Sequence, residues 1–499
     1  MYIGGLDIGT TGCKLTVFDK EGKQLKKSYC DYPVRRRVGA HEIDAKAILE
    51  GVFQVISDIA KDYPDIAGIG VTSFGETFVA ADENGRPLCE AMLYTDPRGK
   101  EQCDILCEQL GVKHMAEISG VKPHEMYSIP KIMWLKEKQP EVFSQVKHLF
   151  LIEDFVIFHL TGETKIDYSL ATRTMGFDIR KLKWNQEILH AAGIDSSLLS
   201  MPVPTGTMAG NITPEVAERT GLNRDTKIVC VSHDQIAAAV GAGVFDSETA
   251  VDGAGTVECI TPVYDEIPDM EVMTRGNYAV VPYVIPGKYV CYAFSYTGGA
   301  LIQWCTDTLA KKEKETAREK GTNVNTLLEQ AYADENGEYP TGLLVLPHFA
   351  GAATPYMDTG SKGTIIGLTT DITVADIYRG CMEGVVYEMV LNMEWLKDSG
   401  IHFKKLAATG GGAHSEVWMQ MKADMLNMPI TSLETVDAGT VGSAMLTGIA
   451  VGAFAGLKEA AEVMVHKVKT YIPREDVHER YMEVYKRYAK VYGTVRSLM

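Results

Sequence analysis

The hydrophobic and polar pattern at the start of the chain predicts a β-hairpin, a helix and a further strand. Apolar residues at 2–6 and 15–18 flank a glycine- and threonine-rich turn at 9–12, which is typical of a hairpin. Residues 66–72 alternate β-branched with small side chains, as a strand does. Between them, apolar residues at helical spacing form one stripe: Ile48, Val52, Val55, Ile56 and Ile59. Strands mixed with helices in this order predict an α/β fold.

A second strand-and-helix unit lies near the middle of the chain. Residues 227–232 have the composition of a short buried strand, which stops at His233-Asp234-Gln235 before a small-residue helix at 236–240. Open α/β sheets bind ligands at the carboxyl ends of their strands, so an acidic residue in this place is a candidate for chemistry. Its structural alternative is the N-cap of the helix that follows, a common use of aspartate.

Directly after this helix the chain repeats the design of its start, with a strand, a Gly/Thr turn and a strand over 249–262. Asp7 and Asp252 each close a strand before such a turn, almost half the chain apart. This echo predicts a duplicated protein with an N-terminal domain at 1–246 and a C-terminal domain at 247–499. The charged stretch at 311–338 is predicted to be a solvated helix and turn on the second domain.

Net charge excludes one class of partner. The 499 residues carry 49 Lys and Arg against 66 Asp and Glu, a formal net charge of −17. Such acidity argues against a general nucleic-acid binder, which needs a basic surface to displace phosphate counterions. Anionic ligands stay open, because backbone N–H groups bind phosphate in acidic proteins as well.

The remaining composition predicts a cytoplasmic protein without a membrane segment. No targeting signal is visible at the start of the chain. The uncharged stretch between Asp437 and Lys458 is rich in Gly, Ala and Thr, which favours a buried helix packed by small residues over a membrane span. The ten cysteines are scattered, which indicates thiols in a reducing compartment. Cys103 and Cys107 could form half a metal site, but no second pair at ligand spacing follows.

The Gly/Thr turns are the candidate phosphate-binding elements, since the sequence lacks a P-loop and a dinucleotide-binding motif. Thr10 and Thr11 offer backbone N–H groups and hydroxyls, Lys14 adds a cation, and Asp7 could hold a magnesium ion through water. The turn at 253–256 could bind the same phosphates from the other domain. Taken alone, each turn is more often just a hairpin.

The most specific turn is Gly410-Gly411-Gly412, where three glycines between a strand and a helix let a flat ligand approach the backbone. Further motifs stand in a fixed order along the chain. They are Asp7-x-Gly9-Thr10-Thr11, residues 126–135, Asp234-Gln235, Gly255-Thr256, residues 298–304, 363–368 and 379–384, and the stretch from Ser415 to Pro429. The ordered set resembles the FGGY family of carbohydrate kinases over the whole chain.

The resemblance implies two actin-like (ribonuclease H-like) domains, each a mixed sheet flanked by helices, with ATP and a sugar meeting in the cleft between them. Asp234 would be the base that accepts the proton of the sugar hydroxyl during phosphoryl transfer. His233 is a tempting base, but the family gives this role to the aspartate. ATP and Mg²⁺ are the implied cofactors, with Asp7 at the metal.

The family pattern also implies two sets of binding residues. The nucleotide set is Thr10, Thr11, Lys14, Gly255, Thr256, Gly299, Gln303, Gly411, Gly412 and Ser415. The substrate set is Ser73, Phe74, Glu76, Asp96, Arg98, Asp234 and Gln235. A small sugar or polyol and a homodimer are the expected partners, without nucleic acid or membrane.

The substrate is the least determined part. Glu76-Thr77 matches the Arg-Glu-Thr of glycerol kinases, but Gly75 replaces the arginine, while Tyr94 to Arg98 follows the ketose-kinase pattern with Tyr for Trp. We expect that Gly75 leaves room beside Glu76 and that Phe74 forms the floor of the pocket. A xylulokinase-like activity on a pentulose therefore leads, a glycerol- or tetritol-type polyol kinase is the alternative, and an actin-like ATPase without a sugar acceptor is the alternative of a different class.

Overall fold

A computed structural model of the protein describes residues 1–336, 340–435 and 437–499. These residues form two larger mixed β-sheets flanked by helices, one from each half of the chain, which confirms the predicted α/β class. The charged stretch predicted at 311–338 forms two helices as far as residue 336, and its last two positions lie outside the described residues.

The first sheet carries the predicted hairpin at its centre. In spatial order its strands are Thr207–Asn211, Lys227–His233, Ile66–Ser73, Tyr2–Ile8, Gly12–Asp19 and Gln24–Asp31. The second, third and fourth of these run parallel, with Ile8 and His233 both in register with Ser73. The segments that follow these three residues therefore leave the same edge of the sheet side by side.

The second sheet repeats this arrangement around its own hairpin. In spatial order its strands are Val281–Pro282, Tyr289–Val290, Glu258–Tyr264, Thr249–Ala254, Lys405–Thr409, Ile430–Leu433 and Lys467–Tyr471, and Ala293–Ser295 also pairs with the third. The strands that begin at Thr249, Lys405 and Ile430 are parallel. Their carboxyl ends bring the second Gly/Thr turn next to the glycine triplet.

Short strands and helices complete the two halves. The strands are Val34–Arg37, Ala40–Ile43, Val79–Ala81, Ala91–Met92, His148–Phe150, Lys165–Asp167, Phe177–Asp178, Lys183–Trp184, Met201–Val203, Leu344–Leu346 and Thr364–Ile366. The helices of the first half are Ala45–Ala60, Lys100–Leu110, Val112–Ser119, Ser128–Lys138, Pro140–Phe143, Ile152–Thr161, Tyr168–Thr172, Gln186–Ala192, Pro214–Thr220 and Asp234–Gly241. Those of the second are Met270–Arg275, Gly299–Thr308, Lys311–Glu319, Val324–Asn336, Val374–Asp398, Glu416–Leu426, Ala438–Ala450, Leu457–Met464, Glu475–Tyr488 and Val491–Val495.

The helix Ala45–Ala60 covers one face of the first sheet with the predicted apolar stripe. The side chain of Asp44 caps its first turn by accepting from the backbone N–H of Lys46. All five residues of the stripe are buried in one cluster with the sheet. Each such side chain contributes about 1.5–3 kcal/mol when it leaves water.

The helix Ala438–Ala450 links the two halves. It is the buried small-residue helix that the sequence predicts, but it packs on the first sheet and on the helix Asp234–Gly241. The hydroxyl of Ser443 donates to the carbonyl oxygen of Gly70 over 2.8 Å. The domain boundary at residue 246 stays a prediction, and this helix crosses it in space. No helix within the described ranges is long and apolar enough to span a membrane.

Candidate active site

Asp234 lies where the sheet topology concentrates the loops of the first half. It is the first residue of the helix Asp234–Gly241 and directly follows the strand Lys227–His233. Its carboxylate does not cap that helix, because the N-cap position belongs to His233 and has no side-chain cap hydrogen bond. The structural alternative for this residue is therefore not realised.

The carboxylate of Asp234 sits among other charges rather than in a hydrogen-bond network. Its side chain is 32% exposed, yet Oδ1 is buried without a hydrogen-bond partner among the described residues. Burial, together with repulsion from Asp7 and Glu76, raises the pKa of Asp234 to about 7. His233 Nδ1 lies 3.4 Å from Oδ1, and burial next to Arg173 lowers the pKa of this histidine well below its ordinary value. A neutral histidine thus leaves the aspartate as the group that titrates near neutrality.

Glu76 is held by an arginine from a distant segment. Its backbone has φ of +64°, a left-handed conformation that costs a non-glycine residue about 1–2 kcal/mol, and Ser128 fixes it by donating to its carbonyl oxygen over 2.7 Å. Arg173 donates from Nε to the Oε1 atom of Glu76 over 2.5 Å, and its Nη2 contacts the same oxygen. Both side chains are buried.

Arg173 also fills the volume that the sequence assigned to empty space. A Cβ atom placed on Gly75 would lie 2.9 Å from Cγ of Arg173 and 3.1 Å from Cδ2 of His233. The expectation that Gly75 leaves room beside Glu76 is therefore wrong, because the aliphatic part of the Arg173 side chain occupies the space next to Gly75 and its guanidinium contacts Glu76. No local motif could reveal this contact, since 97 residues separate Arg173 from Glu76.

The pair Asp96 and Arg98 is engaged in its own network. Arg98 donates to both carboxylate oxygens of Asp96 and, from Nη2, to Glu42 over 2.8 Å. Although burial opposes it, these hydrogen bonds lower the pKa of Asp96. The guanidinium also stacks over Trp134 at 4.9 Å. The network fixes the loop around residue 96, and a contact of either side chain with substrate stays a prediction.

Tyr94 and Lys131 are two polar residues near Glu76 that the sequence analysis did not include among the substrate residues. The charges of Glu76 and Asp234 act on the hydroxyl of Tyr94, and those of Asp96 and Glu76 act on Lys131. Burial lowers the pKa of Lys131 to about 8. Both residues lie within quoted motifs, so the signal was present, but the spacing did not show which side chains turn inward.

The remaining predicted substrate residues, Ser73, Phe74 and Gln235, are buried or half-buried. The hydroxyl of Ser73 donates to the carbonyl oxygen of Phe74 over 3.0 Å. Phe74 packs in the apolar core beside the helix Ala45–Ala60, so the expectation that it floors the pocket is not supported by its surroundings. Gln235 is half-buried and follows Asp234 on the first turn of its helix. The substrate role of these three residues stays a prediction.

The first Gly/Thr turn carries the predicted Asp7 and Lys14 at its base. Asp7 and Lys14 face each other across the hairpin, with Nζ 3.0 Å from the Oδ2 atom of Asp7. The same Nζ lies 2.8 Å from Oδ1 of Asp437, which belongs to the other half of the sequence. Burial raises the pKa of Asp7. At the tip of the turn, Thr10 is half-buried and Thr11 is exposed.

A cavity of about 1040 Å³ opens at the carboxyl ends of the parallel strands of the second sheet. Seven of the ten predicted nucleotide residues line it: Gly255, Thr256, Gly299, Gln303, Gly411, Gly412 and Ser415. Its volume is of the order of ligand pockets for molecules of nucleotide size. Thr10, Thr11 and Lys14 are not among its lining residues and lie on the turn of the first sheet.

The wall of this cavity depends on close backbone approach. The N–H group of Gly299 donates to the carbonyl oxygen of Gly255 over 2.8 Å. A Cβ on Gly410 would lie 2.6 Å from the carbonyl oxygen of Ala254, whereas a Cβ on Gly411 would meet no protein atom within 4 Å. Ser415 caps the next helix and donates from Oγ to Glu329 over 3.0 Å. Gly410 thus serves the fold, while Gly411 presents bare backbone to the cavity.

Asp252 lies behind the second turn in a closed ion cluster that sequence reasoning did not find. Lys422, on the helix Glu416–Leu426, bonds to both carboxylate oxygens of Asp252, at 3.0 and 2.8 Å, and to Glu258. All three side chains are buried. Nζ also lies 4.9 Å from the ring centre of Trp418, which lines the cavity.

Family models match both halves of the chain. The N-terminal domain model of the FGGY family of carbohydrate kinases matches residues 2–241, and its C-terminal domain model matches residues 259–451.

Two relatives and one solved structure illustrate the match. A xylulose kinase of Lactococcus lactis is 28% identical over 509 residues, covering 100% of this chain and 97% of its own. A glycerol kinase of Agathobacter rectalis is 30% identical over 467 residues, covering 90% of each. The crystal structure of a xylulose kinase from Lactobacillus acidophilus has a TM-score of 0.87 at 24% identity and covers 99% of this chain and 98% of its own.

Proposed function

The chain belongs to the FGGY family of carbohydrate kinases, and on that premise we propose that it transfers the γ-phosphoryl group of ATP to a terminal hydroxyl of a small ketose. A pentulose such as D-xylulose is the leading acceptor, as in the xylulose kinase relative. The buried, unpartnered carboxylate oxygen of Asp234 at the edge of the first sheet is the observation that carries this proposal.

Asp234 has the properties that a base for this reaction needs. A general base works best when its pKa is close to the working pH, and burial raises that of Asp234 to about 7. Its carboxylate would accept the proton of the attacking hydroxyl as the oxygen bonds to the γ-phosphorus. The phosphoryl group then leaves ADP with its charge spread over three oxygens, which must be neutralised.

The two turns would supply that neutralisation. The nucleotide would lie in the large cavity of the second sheet, with its base near Gly411 and its phosphates at Gly255 and Thr256. Thr10, Thr11 and Lys14 would contact the γ-phosphate from the first sheet. Backbone N–H groups in such turns form anion sites without side-chain obstruction.

The residues present also fit a magnesium ion. Asp7 and Asp234 are carboxylates close enough for the charge of one to raise the pKa of the other, and a cation between them would relieve that repulsion. Carboxylate oxygens are the ligands that Mg²⁺ prefers, commonly with water and phosphate completing the set. When bound, the ion neutralises charge on the transferred phosphate, and Asp7 would hold it.

A polyol kinase of glycerol or tetritol type is the second candidate. Arg173 beside Glu76 places a guanidinium next to the glutamate, the same pair of groups that Arg-Glu-Thr gives glycerol kinases through neighbouring positions. The glycerol kinase relative is consistent with this reading. An actin-like ATPase is the third candidate and would turn over ATP at full rate without any sugar.

We also propose that the halves 1–246 and 247–499 close on the acceptor, with the protein acting in the cytoplasm. Closure would exclude water from the γ-phosphate and limit wasted hydrolysis. Solution scattering with and without the best acceptor tests this, because closure reduces the radius of gyration. Equal profiles in both states would contradict closure.

The decisive experiment is an ADP-release screen over pentuloses, hexuloses, tetritols and glycerol. Asp234→Ala should lower turnover by about 10²–10⁴-fold, the usual effect of removing a general base. Nucleotide binding, measured by calorimetry, should be nearly unchanged, because the base lies on the acceptor side. Wild-type turnover in this variant would contradict the assignment. ATP hydrolysis at the same rate without sugar would favour the ATPase.

A further inference from the structure

A small cavity lies between the two halves next to Arg173. It measures about 40 Å³ and is lined by Lys122, Tyr127 and Arg173 from the first half and by Asn277 and Tyr292 from the second, among others. A buried water needs about 10–15 Å³ of cavity volume, so the space suits a polar group of about three or four non-hydrogen atoms. The pocket is too small for a whole sugar but fits one end of it.

The cavity belongs to the same cluster as the proposed base. Arg173 contacts Glu76 on one side and lies over the rings of Tyr127 and Tyr292 at 5.2 and 5.7 Å. The ring of Tyr292 packs against His233 at 5.3 Å, and His233 is the neighbour of Asp234. Arg173, Tyr292 and His233 thus form a continuous row of contacts from the cavity to the residue next to the proposed base.

Two polar groups at the cavity are buried and unsatisfied. Nη1 of Arg173 and the hydroxyl of Tyr292 have no hydrogen-bond partner among the residues that the structure describes, and Arg173 is only 7% exposed. Leaving such a donor unpaired in the interior is unfavourable, and more so for a charged group. A ligand that pairs with both groups would recover this energy.

The chemistry of the lining selects a carbonyl group. Arginine and lysine only donate hydrogen bonds, and no carboxylate is among the described residues that line this cavity. A carbonyl oxygen, which only accepts, matches these donors better than a hydroxyl. Asn277 uses its amide N–H on the carbonyl oxygen of Pro355 at 2.7 Å, which leaves its own oxygen to accept from one hydroxyl.

Charge favours a neutral ketone over a carboxylate. The positive charge of Arg173 is already compensated by its contact with Glu76. Lys122 and His124 also line the cavity, and burial lowers the pKa of both, which opposes their carrying a positive charge. A neutral carbonyl next to one hydroxyl is therefore the ligand group that can pair with these donors and with the Asn277 oxygen.

We propose that this cavity is the subsite for the hydroxyketone end of the acceptor, and that Arg173 makes the enzyme select a ketose over a polyol of the same length. The inference rests on the proposed function and deepens it. Nη1 of Arg173 and the hydroxyl of Tyr292 donate to the carbonyl oxygen, and Asn277 accepts from the adjacent hydroxyl.

The test compares five-carbon acceptors that differ in the oxidation level of one end of the chain. kcat/KM is measured for D-xylulose, for the two pentitols formed by reducing its carbonyl, and for the five-carbon aldonate. We expect the wild type to prefer the pentulose by about 10- to 100-fold, the value of one hydrogen bond to a charged group. An equal or better rate with a pentitol, or a preference for the aldonate, would overturn the inference while leaving the kinase function intact.

Variants locate the effect at Arg173. Arg173→Lys and Arg173→Met should bring the pentulose-to-pentitol ratio close to one without changing KM for ATP, and Tyr292→Phe should lower the ratio several-fold. Tyr292→Phe keeps the packing, so it decides the matter if Arg173→Met does not fold. Arg219→Met removes an arginine that stacks on Phe53 at the surface and serves as the control. An unchanged ratio in the Arg173 and Tyr292 variants would overturn the proposal. Absence of turnover of every acceptor by the wild type would overturn the proposed function together with it.

Discussion

The two Gly/Thr turns share a local sequence design but differ in what lies behind them. In each, a strand of the central sheet ends near an aspartate, Asp7 or Asp252, and a lysine pairs with that carboxylate. Lys14 comes from the same hairpin, directly opposite Asp7. Lys422 comes from a helix 170 residues away from Asp252.

Exposure separates the two ion pairs. Lys14 and Asp7 are 27% and 15% exposed, and Asp437 from the other half shares the lysine. Lys422 and Asp252 are each 1% exposed, with Glu258 as a third buried member. The first pair can exchange partners with a phosphate or a cation, whereas the second can only hold the hairpin against its helix. We therefore propose that the same motif serves chemistry at the first turn and architecture at the second.

The largest effect on stability should come from removing Lys422 from its buried ion pair with Asp252. Lys422→Met leaves Asp252 and Glu258 buried without a counter-charge, which costs about 3–5 kcal/mol in such settings. We expect the free energy of unfolding in urea to fall by this amount. A loss below about 1 kcal/mol would mean that the cluster is not structurally important.

A compensated variant controls for the loss of packing. Lys422→Met combined with Asp252→Asn and Glu258→Gln removes all the charges together. An uncompensated buried charge costs more than an unpaired buried amide, and replacement of a buried ion cluster by apolar residues of similar volume is often nearly neutral for stability. We therefore expect this triple variant to recover most of the lost unfolding free energy, and a further loss would point to packing rather than charge.

The open pair should behave in the opposite way. Lys14→Met removes a cation proposed to contact the γ-phosphate, so kcat/KM for ATP should fall by about 10²-fold, as for other transition-state donors. The unfolding free energy should change by no more than about 1 kcal/mol, because the pair is partly exposed. Lys27→Met, which also removes a partner of Asp437, is the matched control and should keep its activity. A large stability loss with normal turnover would reverse the comparison.

Local pattern predicted one side of this comparison and not the other. The hairpins, the parallel strand at residue 66 and the glycine triplet follow from residues close in sequence, and the structure contains them. Asp234 was also within reach, because a strand end and a family motif coincide there. Each of these features depends on periodicity and turn chemistry within about ten residues.

The long-range partners were out of reach. Arg173 beside Gly75 and Lys422 behind Asp252 join segments separated by about a hundred residues or more. Nothing in the neighbourhood of either basic residue marks it as paired. Both depend on how helices dock on the sheets, so a single sequence cannot distinguish them from ordinary surface lysines and arginines.

The glycine triplet next to the second turn is proposed to contact the nucleotide through its backbone. Two neighbouring glycines of the triplet allow this role to be tested separately from folding. Gly411→Ala places a methyl group in the cavity without touching protein, so KM for ATP should rise about tenfold, equal to about 1.4 kcal/mol, with stability unchanged. Gly410→Ala is the contrasting variant. Its φ of +93° and the carbonyl oxygen of Ala254 resist a side chain, so it should lower the melting temperature instead. Equal effects of the two would contradict the division.

The smallest expected effect is a dependence of kcat/KM on pH. It should arise from Asp234 beside the first turn and not from the buried acids behind the second. As the proposed base, Asp234 would have to be deprotonated to accept a proton, so we expect activity above its pKa of about 7 and loss of activity as pH falls through that value. Between pH 8 and pH 7, kcat/KM should fall about twofold, and by pH 6 it should reach about a tenth of its plateau. The Lys27→Met profile should superimpose on that of the wild type.

Stability gives an independent check on the same group. A carboxyl whose pKa is raised on folding binds more protons in the folded state, so its contribution makes the protein less stable as pH rises from about 4 to 7. Asp234→Asn removes that contribution, so its melting temperature should exceed that of the wild type at pH 8 and match it near pH 4. Two results together would contradict this prediction: a flat rate profile between pH 6 and 8, and equal melting temperatures of the two proteins at pH 8. They would show that the charge of Asp234 is already compensated, as the charges behind the second turn are.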